Sequence, residues 1–458
     1  MRAELLGLVP GCSYDRASYQ AQAPLAAFAR NTVKEMMMQD PRYKRSFGRT
    51  AMAAGVAGLL VLAACGEAPQ ETAVAQDDAA AFVDPTQPNP NPDRSEGSTI
   101  PQEFLEADPL VVAAGPVALT NIDMPEGFVI REWAEVEGAR SLVVGDGFVL
   151  VSTQGDSVYA VPFNENMQAG EVVTVASDLH VGNGITLVDG VLYIAEQHRV
   201  ARWGDAPLDI NNPAPEGVQV GPDLPDLWHH GWRYMTTSAD GKLLVGTGAP
   251  CNVCMLRPLE GAIIRIDPAT GDHETIATGI RNTVGITVHP ETGVPWFTDN
   301  GADMMGDDSP PGELNVLAEE GKNYGFPWYG GGKDRTPQFM QETPPEGLVF
   351  PAMDMQAHAA GLGLMFYTGD MFPAAYKGSV FLAQHGSWNR TFPVGYRVMQ
   401  VVMGPDGMPI AKQPFAEGWL KKGDVTGRPV DVQELPDGSV LVSDDMNGLV
   451  YRITYEGE

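Results

Sequence analysis

The run Trp228-His229-His230-Gly231-Trp232-Arg233 places two imidazoles, two indoles and a guanidinium within one short stretch, just before the apolar Leu243-Leu244-Val245. Neutral imidazole titrates near physiological pH and can take a proton from a hydroxyl. His230 is therefore the candidate general base, with His229 beside it; packing against the two tryptophans is the alternative for either ring. A second polar stretch, Gly279-Ile280-Arg281-Asn282, precedes the apolar Val284-Gly285-Ile286-Thr287-Val288. Arginine there can hold a carboxylate or polarise a carbonyl through planar, charge-assisted bonds, or it can serve in an ion pair. Thr298-Asp299-Asn300-Gly301-Ala302-Asp303, followed by Gly306-Asp307-Asp308, collects oxygen donors of the kind calcium takes. Its spacing is not that of an EF-hand, and a solvated acidic turn has the same composition. Gln384-His385-Gly386-Ser387-Trp388-Asn389-Arg390, with Arg397, adds cationic and stacking groups. His358 and Arg428 are further candidates for the same cavity, Arg428 being equally suited to an ion pair between neighbouring elements. No Ser-His-Asp motif, phosphate-binding loop or nicotinamide fingerprint is present.

The elements that must position these residues are strands. From about Val111 onward, strand-length apolar runs alternate with Asp-Gly, Asn-Gly and Thr-Gly turns. One unit, a glycine turn followed by two strands with a polar break between them, recurs at Asp146, Asp189, Asp240, Thr292, Lys377 and Asp437. Repeats at this spacing, without helical periodicity, predict an all-β fold: a six-bladed β-propeller, in which radial closure protects the sheet edges. The strand near Phe128-Val129-Ile130 is expected to pair with the last blade and close the ring. Propellers bind ligands at the axial cavity, where the polar loops of several blades meet.

A formal charge of −30 over 458 residues argues against a nucleic-acid partner and against binding to anionic lipid. Residues 1–64 read as an upstream region and a signal peptide, with Met36-Met37-Met38 as an alternative start. Arg42, Lys44, Arg45 and Arg49 precede an apolar core too short to span a bilayer, and small residues follow it. Leu62-Ala63-Ala64-Cys65 resembles the bacterial lipobox, which implies cleavage before Cys65, lipid on that cysteine and a periplasmic, membrane-anchored protein. Residues 65–110 are rich in Ala, Pro, Asp, Asn and Gln and cannot bury enough apolar surface to order themselves. They are expected to form a disordered acidic linker to a catalytic domain at 111–458. Cys251 and Cys254 form a Cys-x-x-Cys that suits a redox pair, half a zinc site or a structural disulfide. With no second ligand pair and an exported context, the disulfide is the favoured reading.

Taken together, several segments resemble the pyrroloquinoline quinone-dependent sugar dehydrogenases, the soluble glucose dehydrogenase-like family, and within it the L-sorbosone dehydrogenase branch. They are Trp228-His229-His230-Gly231-Trp232-Arg233, Gly248-Ala249-Pro250-Cys251-Asn252-Val253-Cys254, Gly279-Ile280-Arg281-Asn282, Gly321-Lys322-Asn323-Tyr324-Gly325-Phe326-Pro327 and Gln384-His385-Gly386-Ser387-Trp388-Asn389-Arg390. The resemblance covers nearly all of 111–458 and implies pyrroloquinoline quinone and calcium as cofactors. It implies His230 as base, with Arg281 and Asn282 on the quinone and substrate side. Gly301-Ala302 stands where the family has a Gly-Pro pair whose carbonyls bind calcium. Arg390 and Arg397 stand in for the family's cofactor-carboxylate cations, with Arg233 and His385 alongside them. The implied reaction is oxidation of a sugar or sugar-derived aldehyde, with electrons leaving to an external quinone or cytochrome. A calcium-dependent lactonase or esterase and a non-catalytic binding propeller are the rival readings.

Overall fold

The structure is a computed structural model that describes residues 118–457 and the backbone of the two-residue strand Val112–Ala113. The proposed signal segment, Cys65 and the linker lie outside the described residues. Six four-stranded antiparallel sheets follow one another along the chain, one of them extended by a fifth strand. Their first strands are Ala139–Val144, Gly184–Val188, Met235–Thr237, Ile286–Val288, Gly361–Phe366 and Pro429–Glu434. Each of these touches the first strand of the blade before and after it, and the sixth touches the first, so the ring closes around a central axis. The fold is the six-bladed β-propeller expected from the repeats, which supplied the second and third strands of every blade.

Closure works as the sequence suggests. Phe128–Glu135 lies antiparallel to Leu449–Tyr455 and completes the sixth blade as its outer strand. The Phe128 ring meets Phe372, Phe415, Tyr376 and Tyr455 edge-on, with centroids 4.7–5.0 Å apart. Edge-to-face geometry of this kind adds to area burial, so one aromatic side chain fastens the joint between blades five and six.

Six apolar clusters fill the six joints, one for each pair of neighbouring blades. Second strands are therefore covered on both faces: Leu243–Thr247, Val380–Gln384 and Val440–Asp444 are buried throughout. Outer strands alternate instead, and Pro409–Glu417 is largely exposed. This is why the second strands read as unbroken apolar runs in the sequence. Tight hairpins join first to second strands. At Asp189-Gly190 both residues take positive φ, 51° and 78°, as a primed two-residue turn requires.

The axis is plugged. Val284, Leu362 and Val430, from three blades, pack together under Trp232. Beside them the buried Asp431 carboxylate accepts the Leu142 N–H at 2.8 Å and the Tyr234 hydroxyl at 3.2 Å, bridging blades six, one and three. Burial raises Asp431 to about 7. A Cβ at Gly363 would collide with that carboxylate, so only glycine fits there. A separate cavity lies where the first strands end, lined by Val144, Val288, Phe366 and Glu434.

Candidate active site

Antiparallel pairing puts the start of each first strand beside the end of the second; Gly184 faces Ala195, Gly361 faces Gln384 and Pro429 faces Asp444. Loops entering first strands and loops leaving second strands therefore share one end of the ring. Every candidate from the sequence except Arg397 falls in those loops: His230 and Arg233, Arg281 and Asn282, Gly301 and Ala302, His358, His385 and Arg390, and Arg428.

His230 has positive φ, 52°. Its Nδ1 lies 2.9 Å from the carbonyl oxygen of Ala249, in the loop after the second strand of blade three. A carbonyl only accepts, so Nδ1 carries the proton and Nε2 keeps its lone pair. Burial first, then the charges of Arg281 and His229, lower the His230 pKa well below its ordinary value against the raising effect of the Ala249 bond. The ring is thus a neutral base at neutral pH. Ala249 also donates its N–H to the Arg281 carbonyl at 2.7 Å, so one residue ties the base to blade four.

Arg281 and Asn282 are fixed from below by Asp299. Its carboxylate accepts the Arg281 N–H at 2.9 Å and the Asn282 N–H at 2.6 Å. Burial raises Asp299 to about 6. Burial and then the facing Asp299 raise its cross-strand neighbour Glu313 to about 8. The Asn282 side-chain oxygen is buried without a hydrogen-bond partner among the described residues.

In the second half of the site, His385 and Arg428 were singled out in the sequence, whereas Asp445, Arg140 and Gln154 were not. The buried Asp445 carboxylate receives Arg140 at 2.7 Å, Gln154 at 2.5 Å, Arg428 at 3.0 Å and His385 Nε2 at 3.1 Å. Burial alone would raise Asp445, but His385 and the two arginines outweigh it and hold the group below the usual carboxylate range. His385 is itself lowered by burial in spite of Asp445, so it is a neutral donor there. The Arg140 guanidinium also lies 4.2 Å over the Trp232 ring and bonds Asn183 at 2.8 Å. Asp445, Arg140 and Asn183 occupy the same repeat positions as His385, Arg281 and their neighbours. Aligning the polar breaks of the six repeats is the signal that could have found them.

Several of the expected site residues are engaged by the protein itself. Arg233 is buried and its fork ends on the carbonyls of Gln197, His230 and Pro225; it holds the His230 loop rather than facing a cofactor. Burial lowers it to about 10. Arg390 is buried, bonded to the carbonyls of Asp307 and Phe392 and paired with Asp308 at 3.0 Å. Arg397 begins the third strand of blade five and bonds Gln384 and Gln356, each at 2.8 Å, away from the axis. Arg281 is not an open fork either: it donates to Asn252 O, Asn252 Oδ1, Asn300 O and Asp303 Oδ2. The acidic run after Thr298 is spent in the same way, with Asp299 on backbone, Asp303 on Arg281 and Asp308 on Arg390. Among the described residues no group of three or more His, Cys, Asp or Glu could hold a metal ion. His358 Nε2 latches that run by its bond to Gly306 O at 2.7 Å. Gly301 is wedged so that a Cβ would lie 2.8 Å from Pro310 Cγ, and the buried Ala302 donates its N–H to Gly330 at 2.7 Å. Cys251 and Cys254 are joined, with Cα atoms 6.1 Å apart.

Fold and site together define a six-bladed propeller with a neutral histidine and an Arg140–Asp445–Arg428 cluster at one end of its axis. A family model described as Glucose / Sorbosone dehydrogenase matches residues 222–452, and the chain belongs to that family of oxidoreductases. An uncharacterized protein of Borreliella burgdorferi is 31% identical over 362 residues, covering 76% of this chain and 94% of that one. In fold, the chain resembles the holo form of the PQQ domain of pyranose dehydrogenase from Coprinopsis cinerea. The TM-score is 0.63 at 18% identity, over 75% of this chain and 100% of that one. It also resembles the calcium structure of the family AA12 carbohydrate-active enzyme of Trichoderma reesei, with TM-score 0.63 at 21% identity, over 75% and 98% of the two chains.

Proposed function

We propose that this chain is a quinoprotein dehydrogenase that oxidises a sugar or a sugar-derived aldehyde such as sorbosone, the aldehyde as its hydrate, with pyrroloquinoline quinone and calcium. The observation that carries the reading is the pairing, at one end of the ring, of a neutral base with a local cationic surplus. Arg140 and Arg428 share the single carboxylate of Asp445 in a chain of net charge −30. Such a surplus suits a polyanionic ligand. Membership of the dehydrogenase family supports the reaction class, and the PQQ and calcium named for the two structural relatives support the choice of groups.

The residues present fit those groups. The partnerless Asn282 oxygen is a buried acceptor awaiting a ligand, and Arg428, about one-third exposed, is the least enclosed guanidinium around Asp445. Arg428, backed by Arg140 and His385, would hold the quinone carboxylates; Gly301 and Ala302 would offer backbone carbonyls to calcium. When bound, the quinone supplies a two-electron hydride acceptor and calcium a Lewis acid for its carbonyl oxygen.

His230 takes the substrate hydroxyl proton at Nε2, while Ala249 O accepts the Nδ1–H hydrogen bond and steadies the imidazolium that forms. The Arg281 charge that keeps His230 neutral beforehand also favours release of that proton afterwards. Asn282 Oδ1 would orient a substrate hydroxyl, and Trp232 packs on Val284, Leu362 and Val430 at the axis.

We further propose export, anchoring through lipid on Cys65, and electron delivery to an external quinone or cytochrome. Purified chain loaded with the quinone and calcium is expected to reduce a dye when given aldoses or aldehydes, and to lose that turnover when either is withheld. Lactone hydrolysis without added quinone would replace this reading with a calcium-dependent lactonase. Lipid labelling that persists in Cys65→Ser would remove the anchor.

A further inference from the structure

The loop after the second strand of blade three does more than accept a hydrogen bond from His230. Within it, Asn252 makes four hydrogen bonds, all to blade four. Its carbonyl accepts Arg281 Nε at 3.0 Å, and its Oδ1 accepts Arg281 Nη2 at 2.9 Å and the Asp303 N–H at 2.8 Å. Its Nδ2 donates to the Asp303 carbonyl at 3.1 Å. The Arg281–Asp303 ion pair, 2.7 Å, thus lies against this one side chain. Asn252 is flanked by Cys251 and Cys254, whose disulfide closes a ring too small to restrict much of the unfolded chain. What so short a ring restricts is local: the backbone angles of Asn252.

We infer that the disulfide-closed loop is a positioning device, in which the Cys251–Cys254 bond fixes Asn252 and Asn252 fixes Arg281 and Asp303 beside His230. The inference rests on His230 being the base of the proposed oxidation. Asn252 touches no substrate in this account; it acts through Arg281. Charged and titratable groups around His230 are His229 and Arg233 from its own loop, with Asp226 acting on Arg233. Blade four contributes Arg281, with Asp303 and Asp299 behind it. Loss of the clamp lets Arg281 and Asp303 move outward together, weakening the nearest cation.

The test compares wild type, Asn252→Ala and Cys251→Ser/Cys254→Ser, each with and without dithiothreitol. The dithiol gives two electrons and two protons to the cystine, yielding two thiols and a cyclic disulfide of the reagent. His230 is followed by NMR of labelled histidine, assigned with His230→Gln, on chain without quinone. Dithiothreitol on wild type is expected to raise the His230 midpoint by about one unit. The double serine variant and Asn252→Ala should show the same rise without reductant. Reduction should add nothing further in Asn252→Ala, because the disulfide acts through that side chain. In the loaded enzyme the same perturbations are expected to lower kcat on the order of tenfold to a hundredfold, with KM little changed. An unmoved His230 midpoint in folded, reduced wild type overturns the inference, as does a reduction effect of equal size in Asn252→Ala. Absence of turnover in every sample, with the NMR result intact, would strike the dehydrogenase reading and leave the clamp standing.

Discussion

Blades three and four present His230 from a frame in which Arg281 is paired with Asp303, and Asp299 is held by two backbone N–H groups. Blades one, five and six instead bring two arginines and a histidine to one carboxylate, Asp445. The product of the first arrangement is geometry, a neutral imidazole with a known free nitrogen, beside one buried acceptor, Asn282 Oδ1, left for a ligand. The second holds a surplus that an anion can answer. A redox site needs both, because a base is useful only where the acceptor of the hydride is held within reach of it.

The widest separation between the halves should come from His230→Ala. Dye-linked turnover is expected to fall about 10²- to 10⁴-fold, while quinone binding, followed by absorbance, stays; unchanged turnover would end its assignment as base. Asp445→Asn strikes the other half. It leaves Arg140 buried against Arg428, and breaking a buried pair from one side costs about 3–5 kcal/mol, to be read as a lower midpoint in denaturant. Equal stability would mean the arginines find other partners.

Arg428→Ala should weaken quinone binding by about 10- to 150-fold, as loss of a charge-assisted bond of about 1.5–3 kcal/mol implies, and should leave His230 titration untouched. A shift in that titration would show that the halves are coupled. The smallest expected effect concerns pH. Glu313 is raised in the fold to about 8 from 4.5, so its contribution is full at pH below 4.5 and is lost as pH rises toward 8. Glu313→Gln should therefore gain thermal stability relative to wild type as pH climbs from 5 to 8, and a constant difference would refute the shift. His230 runs the other way: its midpoint is lowered, so its contribution is present above pH 6.5 and lost as pH falls.

The ring itself was legible because each repeat pairs a glycine turn with two apolar strands, and burial between neighbouring blades forces that pattern. The common end of His230, Arg281 and Asn282 was legible too, since each precedes a first strand. Hydrogen-bond saturation was not. Arg390 is consumed by Asp307 and Asp308, and Arg233 by the carbonyls of a loop in blade two and its own; nothing in the local sequence marks such partners. Asp445 was hidden in an ordinary Ser443-Asp444-Asp445, where only its distant companions Arg140 and His385 give it meaning.

The outer strand at Phe128 is made before all six blades, and its partner Leu449–Tyr455 after the second strand of the sixth. A ribosome that has not yet made Leu449–Tyr455 therefore holds a ring without its closing pair. Any truncation at the carboxyl end would keep it so. Pulling on residues ahead of Phe128 would load the clasp in shear along a ladder of paired residues, so a force from that side would draw on the same seam that completes the ring.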